Sequence, residues 1–507
     1  VARFPAHTIL LLTLTGAAAC SNPVLSPKDT ITTVIGAPVQ SLNPLYSTDA
    51  NSQHLNELSH ASLVRTSARL VPEPYLAESF KLLGDKTIHF KLKKACRFPD
   101  GKEITADDVE RSLNIFLDPE NKATVAETFK KIKKFEKLNS HEFRFTTEKP
   151  EPALLSDLSL LKILPEGAIK KGENASVVAG SGPFRVVSFA PNQISFERNP
   201  VSCLPEPGVQ KIKVKVVRDD ISRFLKLKNG ELDIVLGDMN YRKVEMIQKD
   251  PTLPLEVKIE DGIGYNYLGV NMINPKLRDP RVREALALSF DIPTIIRYKS
   301  RGMAKPSRNL LADQNYYSNL SIPIRVRDLA KARELLDAAG YNNGSNGKPT
   351  LKVTLTTNTN MISVENARVL AAQAKEAGID LQHRAYEWGI FYADVKAGNT
   401  ELYLLRWVGV TDPGIYFDTM HSGEIGRNNR TRYSNPEMDK WIELGQSVLD
   451  PTKRKLAFDK VQEIAHRDQP FIGLWHVKNT AVFRKGLKNV NIHPTGSWQS
   501  LLEMRKE

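Results

Sequence analysis

The feature that most limits how this chain can fold is its repeated switch between strand-like and helix-like hydrophobic periods. Leu351 to Thr356 alternates with period two, as a strand does. Val364 to Ala377 then sets Ala367, Leu370, Ala371 and Ala374 on one helical face, and Gly378 stops the helix. Ile379 to Tyr386 follows as the next strand, ending at Glu387 and Trp388. Earlier in the chain, Phe184, Val186 and Val187 face Ile194 and Phe196 across a turn at Pro191 and Asn192, which reads as a hairpin. Ser222 to Leu227 then starts a helix before Gly230, and Leu232 to Leu236 returns as a short buried strand. This βαβ order predicts α/β units with a mainly parallel core sheet. At 507 residues the chain exceeds one ordinary domain, so two or three packed units are expected.

Leu402 to Pro413 is the candidate site. Leu402, Tyr403, Leu404 and Leu405 form an unbroken apolar run, which breaks at Gly409 and Pro413. Arg406 and Trp407 sit at the end of that run, with Asp412 just beyond. A charge, a flat ring and a carboxylate at a strand end suit a ligand site in an α/β protein. The same residues also have an ordinary reading, with Arg406 a surface charge, Trp407 a core ring and Asp412 a helix N-cap before Ile415 to Met420.

The formal charge of +13 is spread along the chain, with only short clusters such as Lys130, Lys131, Lys133, Lys134 and Lys137. No basic stripe interleaves with aromatics, which argues against nucleic acid as a partner. At the N-terminus Arg3 and His7 precede an apolar run from Ile9 to Leu14, followed by Thr15 to Ala19 and Cys20. That order reads as a secretory signal. It resembles a bacterial lipobox in which Cys20 carries the lipid, although Ala17 stands where leucine is usual; a plain signal cut near Ala19 is the alternative. No other stretch approaches the roughly 18 apolar residues of a membrane span. Cys96 and Cys203 remain. They could pair in an oxidising compartment, but sequence alone cannot bring them together.

Several strings, in order, carry a resemblance: "SLNPLYSTD", "PYLAES", "FPDGKEITADDVERSL", "SGPFRVVSFAPNQISFERNP", "KNGELDIVLG", "YLGVNMINPKLRDPRVREALALSFD", "KARELLDAAGY" and "QSVLDPTKRKLAFDKVQEIAHRDQPFIGLWH". Their succession over nearly the whole mature chain resembles the family 5 solute-binding proteins of bacterial ABC importers. The resemblance implies an α/β two-lobe periplasmic binding protein fold of type II, in its large three-subdomain form, with an interlobe cleft and a hinge. It implies a signal peptide over 1–19, a linker over 20–28 and lobe 1 over 29–262. Within lobe 1, 29–45 and 170–262 form the core and 46–169 an extra subdomain. Lobe 2 is then 263–479, and 480–507 returns to lobe 1. Gly262 and Gly264 suit the first hinge crossing, and Trp475 to Val482 the second.

The function implied is capture of a peptide or peptide-like solute outside the cytoplasm by a monomeric, lipid-anchored receptor. An inner-membrane ABC permease is its partner, and no cofactor is required. The alternatives are a non-peptide ligand (metal chelate, haem, opine or sugar) or a sensor lipoprotein uncoupled from transport. Candidate ligand residues are Ser41, Leu42, Tyr265, Tyr267, Asn271, Trp388, Arg406, Trp407, Asp412 and Trp475, each of which could instead be ordinary core packing. In peptide receptors of the family an aspartate shortly after the tryptophan matching Trp407 pairs with the ligand's α-amino group. Here Val410 occupies that place, with Thr411 and Asp412 next. No catalytic motif or metal-ligand spacing is present. Gly347 and Lys348 end no P-loop, because Asn342 and Pro349 stand where that motif needs glycine and Ser or Thr.

Overall fold

The computed structural model describes residues 26–39, 41–47, 49–169, 175–342 and 349–507. The proposed signal segment, Cys20, and Gly347 with Lys348 lie outside the described residues.

Three bodies of core can be followed. The first gathers Thr30–Ile35, Lys211–Val216, Gln193–Arg198 and Phe184–Ala190 into a four-stranded sheet, in that order. The C-terminal residues Trp498, Leu501, Leu502 and Met504 pack against it. The second is a four-stranded antiparallel sheet of Ala77–Leu83, Thr87–Leu92, Glu142–Thr147 and Ile132–Lys137. The predicted alternation at Ile88, Phe90 and Leu92 is present, with Phe90, Phe143 and Phe145 buried on one face. Helix Ala106–Leu117 covers it, capped at Thr105 as the sequence suggests. The disulfide Cys96–Cys203 ties this body to the segment following Gln193–Arg198, which settles the pairing left open above.

The third body contains a seven-stranded sheet in the order Ile234–Leu236, Phe471–Arg484, Leu255–Val270, Leu402–Trp407, Leu351–Asn358, Ile379–Tyr386, with Ala304–Pro306 also paired to Phe471–Arg484. The expected βαβ unit is there, since Leu351–Asn358 pairs in parallel with both Ile379–Tyr386 and Leu402–Trp407. The expectation of a mainly parallel core is corrected elsewhere. Leu255–Val270 pairs antiparallel with both Leu402–Trp407 and Phe471–Arg484. Local periodicity reports that a strand is buried, not which neighbour it meets, so it could not distinguish these partners.

Leu255–Val270 and Phe471–Arg484 are 16 and 14 residues long and run from the first body into the third. The first half of Leu255–Val270 packs with Val235, Val244 and Val482, the last from the second half of its antiparallel partner, and its second half packs, through Leu268, with Ile472 and Leu474 from that partner's first half. Between Asp261/Lys478 and Tyr265/His476 the register shifts, so Gly262, Ile263 and Gly264 oppose a single residue. A Cβ on Gly262 would lie 2.6 Å from the Val477 carbonyl oxygen, and one on Gly264 would lie 2.6 Å from Arg406 Nη2. Close approach of the Val477 backbone therefore requires glycine at 262, the Arg406 guanidinium crowds 264, and the bulge is where the paired strands can bend.

Several buried histidines make this fold acid-sensitive. Burial, with Lys162 nearby, pushes His60 down to about 3, and burial pushes His476 down to about 4. Below the ordinary value of 6.5 the unfolded chain takes up protons that these rings refuse. Each ring's contribution is therefore present above about pH 6.5 and is lost as pH falls toward its folded value, at about 1.4 kcal/mol per pH unit. A His60→Asn variant is expected to show a slope of unfolding free energy between pH 6 and pH 4 that is shallower by about one proton. Urea titrations across that range test it, and an unchanged slope would contradict the assignment.

Candidate functional site

Because Leu402–Trp407 runs parallel to Leu351–Asn358 and Ile379–Tyr386 runs parallel to that, three carboxyl ends share one edge of the sheet. Carboxyl edges of this kind are where α/β folds bind ligands. Large apolar side chains stand exposed around it, including Met361 (72 %), Ile362 (67 %), Trp388 (49 %) and Val408 (71 %). Trp388 stacks on Tyr392 with ring centroids 5.2 Å apart.

At this edge the strand end Arg406–Trp407 separates two cavities. One, of about 810 Å³, lies between 407–418 and the segment Lys149–Asp157 of the Phe-rich body. The other, of about 600 Å³, lies between Arg406 and the first body, where Gly36, His54, Arg218, Asp238 and Trp498 line it. Both volumes fall in the range of small-solute sites.

The larger cavity is acidic. Glu151, Asp157, Asp412, Asp418 and Glu443 line it against Lys131 and Lys149. Burial pushes Asp157 up to about 6, Lys131 opposes that shift, and the Asp412 carboxylate adds to it. Trp407 forms part of the wall, with the Arg430 guanidinium 5.2 Å from its ring centre. The smaller cavity is basic. Arg223 bonds the Val217 and Arg218 carbonyls and lies 3.5 Å from Asp238, while Arg406 and Arg218 make no ion pair among the described residues.

Asp412 has a role the sequence did not suggest. Its carboxylate accepts from both terminal nitrogens of Arg454, at 2.7 and 2.8 Å, and from the Gly414 N–H at 2.7 Å. The helix Ile415–Met420 has Gly414 at its N-cap, so Asp412 is not the cap residue; its carboxylate orders the turn just before that helix. Its main partner, however, is a guanidinium 42 residues on. The Val410 side chain, only 7 % exposed, belongs to the apolar core.

The other candidates lie elsewhere. Leu42 is fully buried among Leu55, Leu58 and Phe184. The Ser41 hydroxyl donates to the Ser176 carbonyl and accepts from the Asn43 N–H. Tyr265 and Tyr267 stack on each other at 5.5 Å inside the core, and Trp475 is buried with Leu474 and Ile472. Asn271 donates to the Gly398 and Thr400 carbonyls, which places it at the start of Leu402–Trp407, the end opposite the cavities. These polar and aromatic residues had strand positions that fit a site, but burial and backbone bonds commit them to holding the sheet. Missed altogether were Asp157, Arg218 and Trp498. Nothing local marks them, because each reaches the cleft only through packing between distant segments.

Bodies of core joined by a pair of long strands with a shared register shift, with charged cavities beside it, are the arrangement of the two-lobe periplasmic binding protein fold. Residues 71–427 match the family described as bacterial extracellular solute-binding proteins, family 5 middle region. The chain belongs to the family 5 bacterial extracellular solute-binding proteins. It is 26 % identical over 494 residues to the oligopeptide-binding protein AppA of Bacillus subtilis, covering 92 % of this chain and 89 % of that one. The structure of AppA from Bacillus subtilis in complex with a nonapeptide superposes with a TM-score of 0.72 at 23 % identity, covering 94 % of this chain and 99 % of the other. NikA from Brucella suis in complex with Fe(III)-EDTA superposes with a TM-score of 0.83 at 23 % identity, covering 94 % and 100 %. Among the described residues no helix is long and apolar enough to cross a membrane, and no three metal-ligating side chains converge.

Proposed function

We propose that this protein captures a peptide or peptide-like solute at the charged cleft between its lobes and delivers it to an ABC permease of the inner membrane. In this reading it works outside the cytoplasm as a monomer, tethered by lipid on Cys20. Lobe 1 comprises 29–262 and 480–507, lobe 2 comprises 263–479, and the crossing strands bend at Gly262–Gly264. The observation that carries the reading is the pair of cavities flanking Arg406 and Trp407 beside that bend. A solute bound there touches both lobes, so its binding energy favours the closed form, and closure becomes a state that a permease can distinguish. No catalytic step is assigned to any residue.

The oligopeptide-binding relative supports peptide as the solute class. The commitment of Asp412 to Arg454 favours a second reading, a non-peptide ligand, because the carboxylate position that would hold an α-amino group is not free. Thermal unfolding of the purified chain separates the two readings. A mixture of di- to hexapeptides at about 100 times the dissociation constant is expected to stabilise the protein by about 2.7 kcal/mol. Stabilisation by haem or by a nickel–histidine chelate, with none from peptides, would establish the second reading instead.

A further inference from the structure

One apolar side chain is buried where its own part of the fold offers it no core. Val64–Thr66 and Pro72–Pro74 form an antiparallel hairpin of the Phe-rich body, joined by the turn Ser67–Val71. Leu63 and Val64 pack into that body's core, whereas Ala68 and Arg69 at the tip are exposed. Leu70 is only 2 % exposed, yet it belongs to none of the large cores. It meets Ile263, in the bulge of the crossing strand, and Ala312, and the three make a cluster of their own. Its φ of 60° is left-handed, so the contact holds a leucine in a backbone conformation that leucine otherwise avoids. Beside it the Tyr316 N–H donates to the Arg69 carbonyl at 3.4 Å. The loop that forms the seat is tied on two further sides. Gln314 Nε2 donates to the Asp261 and Gly262 carbonyls at 3.1 and 3.3 Å, and Asn315 Nδ2 donates to the Thr411 carbonyl at 2.8 Å. Thr411 lines the larger cavity.

We propose that Leu70 is an apolar latch between the lobes, seated on Ile263 and Ala312, which holds them at the angle seen in this structure. This rests on the reading of the chain as two lobes that bend at Gly262–Gly264. Leu70 then belongs to lobe 1, Ala312 to lobe 2, and Ile263 to the bend itself, so rotation about the bulge changes the seat. The backbone ladder of the crossing strands continues through a bend. The Leu70 contact does not, because burial of a single side chain by two neighbours is lost once they move apart by the width of a methyl group. Release also frees the turn to leave the left-handed conformation, which makes the latch a contact that gives way at once and not by degrees. The loop 312–316 bonds the bulge carbonyls on one side and Thr411 on the other, so a solute that shifts the cavity wall at Thr411 moves the Leu70 seat with it. Lobe angle and cavity occupancy are linked through this one loop.

Spin labels on Lys331→Cys in lobe 2 and Lys485→Cys in lobe 1, both exposed positions, report the lobe separation of the full chain by pulsed electron paramagnetic resonance. With Leu70 in place, one narrow distance distribution is expected. In Leu70→Gly the turn keeps a residue that takes the left-handed conformation freely, so the unfolding midpoint is expected to stay near that of the native chain while the distribution broadens and moves by several ångströms. Leu70→Met, which keeps the apolar volume, is expected to retain the native distribution. Ala312→Gly opens the seat from the other lobe and is expected to move the distribution in the same direction as Leu70→Gly; the decision passes to it if Leu70→Gly lowers the midpoint. A distribution superimposable on the native one in the deciding variant overturns the latch. Gly264→Ala, whose added methyl crowds the Arg406 guanidinium, tests the bend separately. If it moves the distribution and the Leu70 and Ala312 variants do not, the latch fails and the two-lobe reading stands; if none of the three moves it, both fail.

Discussion

Replacing Asp412 with alanine is expected to destabilise the protein by about 3 kcal/mol. Arg454 is the reason. Its side chain is 3 % exposed, against 17 % for Asp412, and it lies between the Tyr317 and Phe458 rings at 5.0 and 5.3 Å. Burial works against its charge, and the Asp412 carboxylate more than offsets that, so the guanidinium pKa is raised. Without the carboxylate a buried cation keeps only neutral partners, the Gly445 carbonyl at 3.2 Å and the Tyr317 hydroxyl, and the turn at Gly414 loses its acceptor. Replacing both partners, as in Asp412→Asn with Arg454→Met, is expected to cost much less, because no charge is then left unpaired. Urea unfolding at pH 7 measures both. A single-variant loss below about 1 kcal/mol, accompanied by lost solute binding, would show that Asp412 serves the ligand and not the fold. The experiment therefore separates the two roles that the sequence left open for this carboxylate.

Loss of the Cys96–Cys203 bridge is expected to have a comparable or larger effect. The two residues are 107 apart in sequence, and closing a loop of that size stabilises by about 5 kcal/mol in the chain-entropy account. The bridge joins the Phe-rich body to the segment beside the first sheet, so its loss should loosen that body first. Lys149 to Asp157, which wall the acidic cavity, belong to the same body. A Cys96→Ser, Cys203→Ser double variant should unfold at lower urea and should also bind solute more weakly. Unchanged unfolding relative to the oxidised native chain would mean that the bridge adds nothing to stability.

Much of the architecture was legible because secondary structure leaves a local period. The βαβ run from Leu351 to Tyr386, the Thr105 cap and the hairpin at Pro191 and Asn192 each follow from residues close in sequence. The glycines at 262 and 264 suit a hinge crossing or a turn, and the register shift of the paired strands lies there. The candidate site was legible in part. Arg406, Trp407 and Asp412 do line the two cavities, whereas Leu42, Tyr267, Asn271 and Trp475 are committed to the core or to backbone bonds.

The sequence by itself determined which segments are strands and helices, that they build an α/β fold, and that Leu402 to Pro413 is a buried strand breaking into a turn at Gly409 and Pro413. Only the tertiary structure decided that the crossing strands pair antiparallel, that Cys96 meets Cys203, that Arg454 takes Asp412, and that the Arg406 side chain has no ion-pair partner among the described residues. Hydrophobic period is a property of neighbours along the chain, whereas the pairing of charges, thiols and strand edges depends on which distant segments the packed core brings within a few ångströms.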